Sequence, residues 1–357
     1  MTSKAFGLAQ LGNAYADGAL SNRNKIINGA MTIDQRNAGA AVTASGSFVV
    51  DRFSMINTSD GAFSAQQVSE APSGFTKSVK VTATTADATL ATTQNLHLRH
   101  AVEGFNVADL GWGTAAAQAI TISFWARSSL TGTFGGSLRN SASTRAYAFT
   151  YSISAANTWE YKTVTIAGDT SGTWETTNGV GILVSWGLGA GPDRSGTAGV
   201  WTGDIYVSAT GAVSLIGTLN ATWQITGVQL EAGDTATPFE HRSYGQELAL
   251  CQRYFQTLGG VTYTRFFSGF CPSTTEAVFS FVFPTPMRTA PTASASGTIA
   301  VYHGAYVVST TTSIGFSDVT NSSIACSGFS SGLTTNCGAL LLTNNDASAR
   351  ITFSAEL

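Results

Sequence analysis

Alternating apolar and polar positions dominate the chain from about Val49 onward. Runs in which every second residue is apolar are typical of strands with one buried face. They occupy residues 78–82, 120–126, 147–153, 159–166, 180–186, 204–207 and 223–230. Clusters of glycine, threonine and serine separate the runs at sandwich-like spacing. Residues 41–240 are therefore predicted to form an antiparallel jelly-roll or related β-sandwich.

The pattern changes after Pro238. Ser243 and Gln246 have the spacing of a helix capping box, and apolar residues then recur at intervals of four and three. These residues are Tyr244, Leu248, Cys251, Phe255 and Leu258. They predict a short linking helix over residues 241–258. Its apolar stripe either packs on a domain of its own chain or contacts other copies, with Leu248, Cys251, Phe255 and Leu258 as the candidate trimer contacts.

Strand-like alternation resumes beyond Gly259 and Gly260. It covers residues 278–283, 299–308, 339–342 and 351–353, which predicts a second, smaller C-terminal β-sandwich domain over residues 259–357. The predicted fold class is all-β, with one helix between two sandwich domains.

The first 40 residues predict an extended N-terminal arm. Its apolar residues have helical spacing, but Gly7, Gly12 and Gly18 each weaken a helix by about 1 kcal/mol relative to alanine. An arm that becomes ordered on contact with a partner fits this pattern better than a self-standing element. The candidate attachment residues are Phe6, Leu8, Leu11, Tyr15, Ile26 and Ile27.

Composition narrows the function classes. Only 11% of the residues are charged, against roughly 25% in an ordinary soluble domain, so hydroxyl and amide side chains must cover the surface. The net charge of -3 and the scattered basic residues argue against nucleic-acid binding. The sequence has neither a membrane-spanning apolar run nor a secretion leader, so we expect assembly in a cytoplasm, with the four cysteines as free thiols.

Three segments resemble a recurring pattern in bacteriophage tail-fibre and related virion proteins. The first is NKIINGAMTIDQR at residues 24–36, followed by Asp51-Arg52-Phe53, and it is similar to the entry of a jelly-roll domain in those proteins. The second is ITGVQLEAGDTATPFEH at residues 225–241, which resembles the exit of that domain. The third is CQRYF at residues 251–255, with Pro286-Met287-Arg288 and Ala290-Pro291-Thr292 farther on.

The resemblance implies a virion part, usually a homotrimer, whose N-terminus points toward the particle and binds tail or neck proteins. We expect a tail fibre that contacts a glycan or other receptor on the host surface without catalysis. A capsid-attached or neck-attached decorating fibre without a receptor role is the alternative, and a glycan depolymerase is a less favoured one. Several copies per particle would raise avidity by about 10²–10⁴ without a strong single site.

Catalytic and metal motifs are sparse. His97 and His100 lack acidic or cysteine partners at zinc-site spacing, and no nucleophile elbow or phosphate loop occurs. Glycan hydrolysis needs two carboxylates, and single acids occur at Glu160, Asp169, Glu175, Asp193 and Asp204. No cofactor or metal is predicted, although a structural Ca²⁺ held by Asp51, Glu231 and Asp234 is conceivable.

Aromatic residues in loops are the best binding candidates, because sugars stack on aromatic rings. The residues are Trp112, Trp174 and Trp201 in the first domain, which would act like a carbohydrate-binding module, and Tyr302 and Tyr306 in the second. Packing beneath a loop or at a subunit boundary is the alternative role for the three tryptophans. Trp125, Trp159, Trp186 and Trp223 lie in alternating runs and are expected in the core.

Overall fold

The computed structural model describes residues 22–304 and 307–357. The chain divides into two compact units: the first ends at Glu247, and the second comprises Leu248–Glu356. Each unit encloses its own cluster of buried apolar side chains. The predicted attachment residues Phe6, Leu8, Leu11 and Tyr15 lie outside the described residues.

The fold is all-β and of the jelly-roll or sandwich type, as predicted. The strands of the first unit are β1 (Phe48–Val50), β2 (Phe53–Asn57), β3 (Ala62–Val68), β4 (Ser78–Thr85), β5 (Asn95–Glu103), β6 (Ile120–Ser128), β7 (Gly132–Arg139), β8 (Ala146–Ile153), β9 (Glu160–Ile166), β10 (Val180–Ala190), β11 (Ser195–Gly196), β12 (Trp201–Thr202), β13 (Ser208–Ala209) and β14 (Thr222–Ala232). Short 3-10 turns cover Gly104–Asn106, Ala108–Leu110 and Pro192–Arg194.

Two antiparallel sheets form this sandwich. In the described residues one has the order β1-β2-β5-β10-β7-β8-β12 and the other the order β3-β4-β14-β6-β9, while β11 and β13 form a separate parallel pair. Apolar side chains from the inner faces fill the space between the sheets, with Trp186 and Trp223 among the largest fully buried ones. Alternation along β8 shows the cause: Tyr151 and Ile153 point inward, and Ser152 points to solvent.

The entry and exit motifs of the sequence lie side by side. Asn24 donates from Nδ2 to the Val228 carbonyl at 3.0 Å, and its Oδ1 accepts from the Leu230 N–H at 3.1 Å. Gly29 accepts from the Val228 N–H at 2.9 Å, and a Cβ at Gly29 would collide with the Val228 carbonyl oxygen. The two segments thus close the sandwich together.

The second half of the entry motif is held by buried polar side chains. Asn28 has a left-handed backbone, with φ of 61°, and its amide bonds the Ile33 N–H and the carbonyls of Ile33 and Asp51 at 2.8–2.9 Å. The Asp51 carboxylate accepts from the backbone and side chain of Gln35. These bonds account for the Asn, Gln and Asp positions of the motif.

The predicted arm therefore needs a correction over residues 22–40. These residues belong to the sandwich, where Ile26 is fully buried and Ile27 is 6% exposed. Their side chains are packed within this chain, because hydrogen bonds from the Asn24 side chain to Val228 and Leu230 hold the segment against β14. Ile26 and Ile27 are consequently unavailable as attachment residues.

The second unit is a smaller sandwich. Its strands are β15 (Phe255–Gly259), β16 (Arg265–Phe270), β17 (Glu276–Val282), β18 (Thr292–Ser296), β19 (Ile299–His303), β20 (Val307–Thr310), β21 (Ser313–Ser317), β22 (Ser323–Phe329), β23 (Gly338–Thr343) and β24 (Arg350–Ser354). The described strands form sheets of order β15-β24-β18 and β20-β19-β23-β16-β17-β22-β21. Phe281 and Phe353 stack between them, with centroids 5.9 Å apart.

The linking helix is shorter than predicted. Helix α1 covers Tyr244–Gln252, whereas Phe255 and Leu258 lie in β15, which pairs in register with β24. Cys251 is fully buried and Phe255 is 7% exposed, so neither is free to contact another copy. Leu248 and Leu258 are partly buried. Sheet pairing overrides the helical spacing of the last two apolar residues.

Candidate functional site

Three tryptophans from separate loops meet at one end of the first unit. Trp112 follows the turn Ala108–Leu110, Trp174 lies between β9 and β10, and Trp201 begins β12. Their ring centroids are 4.7, 5.4 and 5.6 Å apart, and all three pairs are edge-to-face. Such aromatic pairs contribute about 0.5–1.5 kcal/mol each beyond area burial. The structure thus brings together the three tryptophans that sequence reasoning selected.

The indole N–H groups of this cluster are satisfied within the chain. Trp112 donates to the Gln118 carbonyl at 2.8 Å, Trp174 to Ser171 at 3.2 Å, and Trp201 to Ala167 at 2.9 Å. Trp112 and Trp174 are 7% and 8% exposed, while Trp201 is partly exposed. Packing is therefore one role of the cluster, and Trp201 is the tryptophan of the three with the largest exposed fraction.

An ion pair braces the cluster. Arg145 donates from two guanidinium nitrogens to the two carboxylate oxygens of Asp169, each at 2.7 Å, and its guanidinium lies 6.0 Å from the Trp201 ring centroid. The bonds to Asp169 raise the pKa of Arg145. Asp169 also accepts from the Gly113 N–H through its backbone carbonyl at 2.7 Å. The ion pair therefore connects the start of β8 to the loop that carries Trp174, and the backbone bond connects that loop to the segment of Trp112.

Beside the cluster lies a pocket of about 190 Å³. It is smaller than the roughly 300–1,000 Å³ typical of pockets for drug-sized ligands, so it admits a small group such as one sugar ring. Its walls combine apolar side chains, two tryptophans, two threonines and one carboxylate. The lining residues are Val107, Ala108, Gly111, Trp112, Thr114, Trp174, Glu175, Thr176 and Ile182.

Glu175 lines the pocket, and Phe105 lies on a segment bonded to the Glu175 loop. Bonds from the side chain and backbone of Thr177 lower the pKa of Glu175, so its carboxylate is ionised at neutral pH and can accept bonds from hydroxyls. Phe105 is 59% exposed and is tied to the same loop by its N–H, which bonds the Thr177 carbonyl at 2.8 Å. The pocket thus offers an apolar wall and a fixed acceptor, and the exposed Phe105 ring lies on the neighbouring segment.

Sequence reasoning missed two aromatic features. Phe105 lies just after β5. The only sequence signal near it is Gly104, where a side chain would collide with the Glu175 loop. Trp125 was expected in the core, yet it is half-buried on the outer face of its sheet and contacts Tyr161 with centroids 5.4 Å apart. The sequence signal for this outer position is the neighbouring Phe124, which is buried, because successive residues of a strand point to opposite faces of the sheet.

The remaining sugar-contact candidates lie in the second unit. Tyr302 is partly buried in β19, opposite Val308 and Leu340. Tyr306 lies outside the described residues. The contact role of both stays a prediction.

The two neighbouring histidines are buried on opposite faces of β5. Burial lowers the pKa of both well below the usual value, helped at His97 by Arg139 and at His100 by Arg52. His97 Nδ1 lies 2.8 Å from Asn95 Oδ1, and His100 Nε2 lies 3.2 Å from the Ile27 carbonyl. Both are buried and neutral near pH 7.

The acids considered for metal binding or hydrolysis mostly have structural partners. Asp51 accepts from Gln35 and Arg36, Glu231 from Gln229 and Thr237, and Asp234 is exposed. No group of three or more metal-type ligands occurs in the part of the chain that the structure describes. Glu160 binds Lys162 at 2.6 Å.

No helix among the described residues is long and apolar enough to cross a bilayer.

Comparisons with known proteins give fold-level neighbours. No protein-family model matches the sequence, and no curated protein sequence matches it. A solved enzymatically active domain of bacteriophage CBA120 tailspike protein 4 is 11% identical with a TM-score of 0.34, and the match covers 59% of this chain and 22% of that one. The chain therefore spans about a fifth of the tailspike domain's length.

Carbohydrate-binding modules are also similar. A CBM4 structure is 13% identical with a TM-score of 0.31, over 58% of this chain and 98% of that one. The family 11 module of a Clostridium thermocellum cellulosomal cellulase is 12% identical with a TM-score of 0.26, over 58% and 100%. These low scores define neither the family of this chain nor its ligand.

Proposed function

We propose that the first unit binds a carbohydrate in the pocket beside the tryptophan cluster, and that it does so without catalysis. The observation that carries the proposal is the convergence of Trp112, Trp174 and the ionised Glu175 around a space the size of one sugar ring, with the exposed ring of Phe105 on the segment bonded to the Glu175 loop. Apolar sugar faces pack on aromatic and aliphatic surfaces, and sugar hydroxyls donate to carboxylates.

The pocket favours a chain end or a single branching sugar. Its volume of about 190 Å³ leaves no room for a long oligosaccharide inside it. Thr176 supplies a hydroxyl that can both donate and accept, whereas the Thr114 hydroxyl already donates to the Gly111 carbonyl at 2.6 Å and can only accept. A single shallow site of this kind binds weakly, so a useful avidity requires several copies acting together.

Replacing Glu175 with glutamine is expected to weaken carbohydrate binding about tenfold, because a hydrogen bond to a charged group contributes about 1.5–3 kcal/mol. The full-length chain is first screened on an array of bacterial surface polysaccharides. The strongest hit is then titrated by calorimetry with the wild type, Glu175→Gln and Phe105→Ala.

Trp125→Ala is the matched control, since it removes a half-buried tryptophan from the other sheet of the same unit. The proposal predicts loss of affinity in the two pocket variants and unchanged affinity in the control. Unchanged binding in Glu175→Gln and Phe105→Ala, with loss in Trp125→Ala, would place the site on the face of Trp125 and Tyr161.

We further propose that the chain is a fibre-type structural subunit of a bacteriophage virion, assembled as a homotrimer in the host cytoplasm and acting in host attachment as a tail fibre. The support is the sequence resemblance, whose entry and exit motifs close the sandwich. A decorating fibre on the capsid or neck is the second candidate. Light scattering of the purified chain should give three times the mass of one 37.0 kDa chain. A protomer mass at all concentrations would contradict the trimer.

A further inference from the structure

A cluster of polar side chains, separate from the tryptophan cluster, lies on the outer face of the sheet that contains β5, β10 and β7. In antiparallel sheets, directly paired residues share a face. Ser185 of β10 pairs with Arg99 of β5 on one side and with Ser137 of β7 on the other. The neighbouring row places His97 opposite Gly187, and Arg139 lies two residues beyond Ser137 on the same strand.

The floor of this cluster contains buried polar atoms without a hydrogen-bond partner among the described residues. They are His97 Nε2, Ser137 Oγ, Ser185 Oγ and Arg139 Nε. Ser137 and Ser185 are fully buried, and His97 is 3% exposed. An unpaired buried polar group costs about 1–3 kcal/mol, so four together on one sheet face point to a ligand that is polar itself.

Three positive charges surround these atoms. Arg99, Arg139 and Arg194 are partly exposed, and all three act on His97 to lower its pKa. Burial, followed by the charges of Arg99 and Arg194, lowers the pKa of Arg139 to about 10. Arginine side chains carry a positive charge at neutral pH, so these three repel one another, and a bound anion would offset that repulsion.

Another part of the chain packs closely on this face. A Cβ on Gly135 or Gly187 would collide with Ser208 of the segment that crosses above them. This segment covers the row that contains His97, while the row of Ser137 and Ser185 is bordered by the arginines. The floor is therefore covered by this segment on one side and bordered by the partly exposed arginines on the other.

We propose that Arg99, Arg139 and Arg194, with Ser137, Ser185 and His97 beneath them, form a binding site for an oxyanion group, a carboxylate, sulfate or phosphate. Guanidinium groups bind such groups through paired, charge-assisted hydrogen bonds. The serine hydroxyls and His97 Nε2 would bond the anion's remaining oxygens or an adjacent hydroxyl. This site is separate from the tryptophan pocket, and its existence does not depend on carbohydrate binding there.

The test is thermal unfolding of the full chain in chloride buffer, with sodium sulfate, sodium phosphate, glucuronate or glucose added at low millimolar concentration and matched ionic strength. The proposal predicts a saturable rise in Tm with at least one anion and none with glucose. A response to glucuronate identifies an acidic sugar as the source, whereas a response to sulfate and phosphate alone identifies a free inorganic anion.

Arg139→Gln and Arg194→Gln are the site variants, and Arg265→Gln, exposed in the second unit, is the matched control. The site variants should bind about tenfold more weakly, while Arg139→Gln should raise Tm in chloride alone because like-charge repulsion is relieved. Non-specific stabilisation by sulfate is linear in concentration and equal in every variant. No saturable anion effect in the wild type, or the same effect in Arg139→Gln and Arg194→Gln, would overturn the proposal.

Discussion

Replacing Asn28 with alanine is expected to lower the free energy of unfolding by about 3–5 kcal/mol, since each buried polar group left without a partner costs about 1–3 kcal/mol. The side chain of Asn28 is fully buried and bonds the Ile33 N–H and two carbonyls. Alanine cannot replace any of these bonds. It also tolerates the left-handed backbone at this position less well than asparagine does.

Asn157→Ala separates the cost of the lost hydrogen bonds from the cost of the left-handed backbone. Asn157 has nearly the same φ, 57°, but it is exposed. Its replacement should cost no more than about 1–2 kcal/mol, the conformational part alone. Urea unfolding followed by tryptophan fluorescence measures both variants. Equal losses for the two asparagines would contradict a closing role for the entry motif.

Replacing Arg145 with glutamine is expected to cost about 2–4 kcal/mol. Breaking a buried ion pair costs about 3–5 kcal/mol because the remaining charge stays buried and unpaired, and the partial exposure of Arg145, 21% of its side chain, reduces the loss. Asp169, whose side chain is 2% exposed, is the charge that would remain. The loop carrying Trp174 would then lose its connection to β8.

Lys25→Gln provides the control for this variant. Lys25 pairs with Asp109 at 2.6 Å, but the side chain of Asp109 is 59% exposed, and such surface pairs contribute about 0.2–1 kcal/mol. Near-ultraviolet circular dichroism should weaken in Arg145→Gln, because the three indoles lose their fixed geometry, and stay unchanged in Lys25→Gln. Retention of both the spectrum and the stability in Arg145→Gln would show that the ion pair does not brace the cluster.

Six of the seven strand runs named in the first domain, and the tryptophan candidates, could be predicted from the sequence because both signals are local. The run predicted at residues 204–207 is not a strand, and β1, β2, β3, β5 and β7 lie outside the predicted runs. Alternation marks a half-buried strand wherever it occurs, and tryptophan among glycine and threonine marks a loop. The meeting of Trp112, Trp174 and Trp201 could not be predicted, since it depends on which strands pair. Their neighbours Arg145 and Asp169 are 24 residues apart, with no shared motif.

The errors at the chain's entry and at the linking helix have the same origin. Phe255 and Leu258 fit a helical spacing, but pairing with β24, almost 100 residues later, decides their structure. Residues 22–40 look like an arm because they contain no long alternating run. Their partners, Val228 and Leu230, lie about 200 residues away. Long-range pairing therefore overrides the local pattern in both places.

The low charge of the chain suits the proposed role. Removing neutral hydroxyl and amide groups from water costs less free energy than removing unpaired charges. Subunits with such surfaces can therefore associate and also contact neutral sugars. A weak pocket repeated on several copies gains affinity through multivalency. The arginine cluster would add a preference for anionic groups at a separate position.

A crystal structure of the full chain bound to the oligosaccharide selected on the array tests the carbohydrate proposal most directly. The proposal predicts a sugar ring in the pocket, with a hydroxyl within hydrogen-bonding distance of the Glu175 carboxylate and carbon atoms in contact with Trp174 or Phe105. A sugar bound at the Trp125 and Tyr161 face, with the pocket filled by water alone, would contradict it.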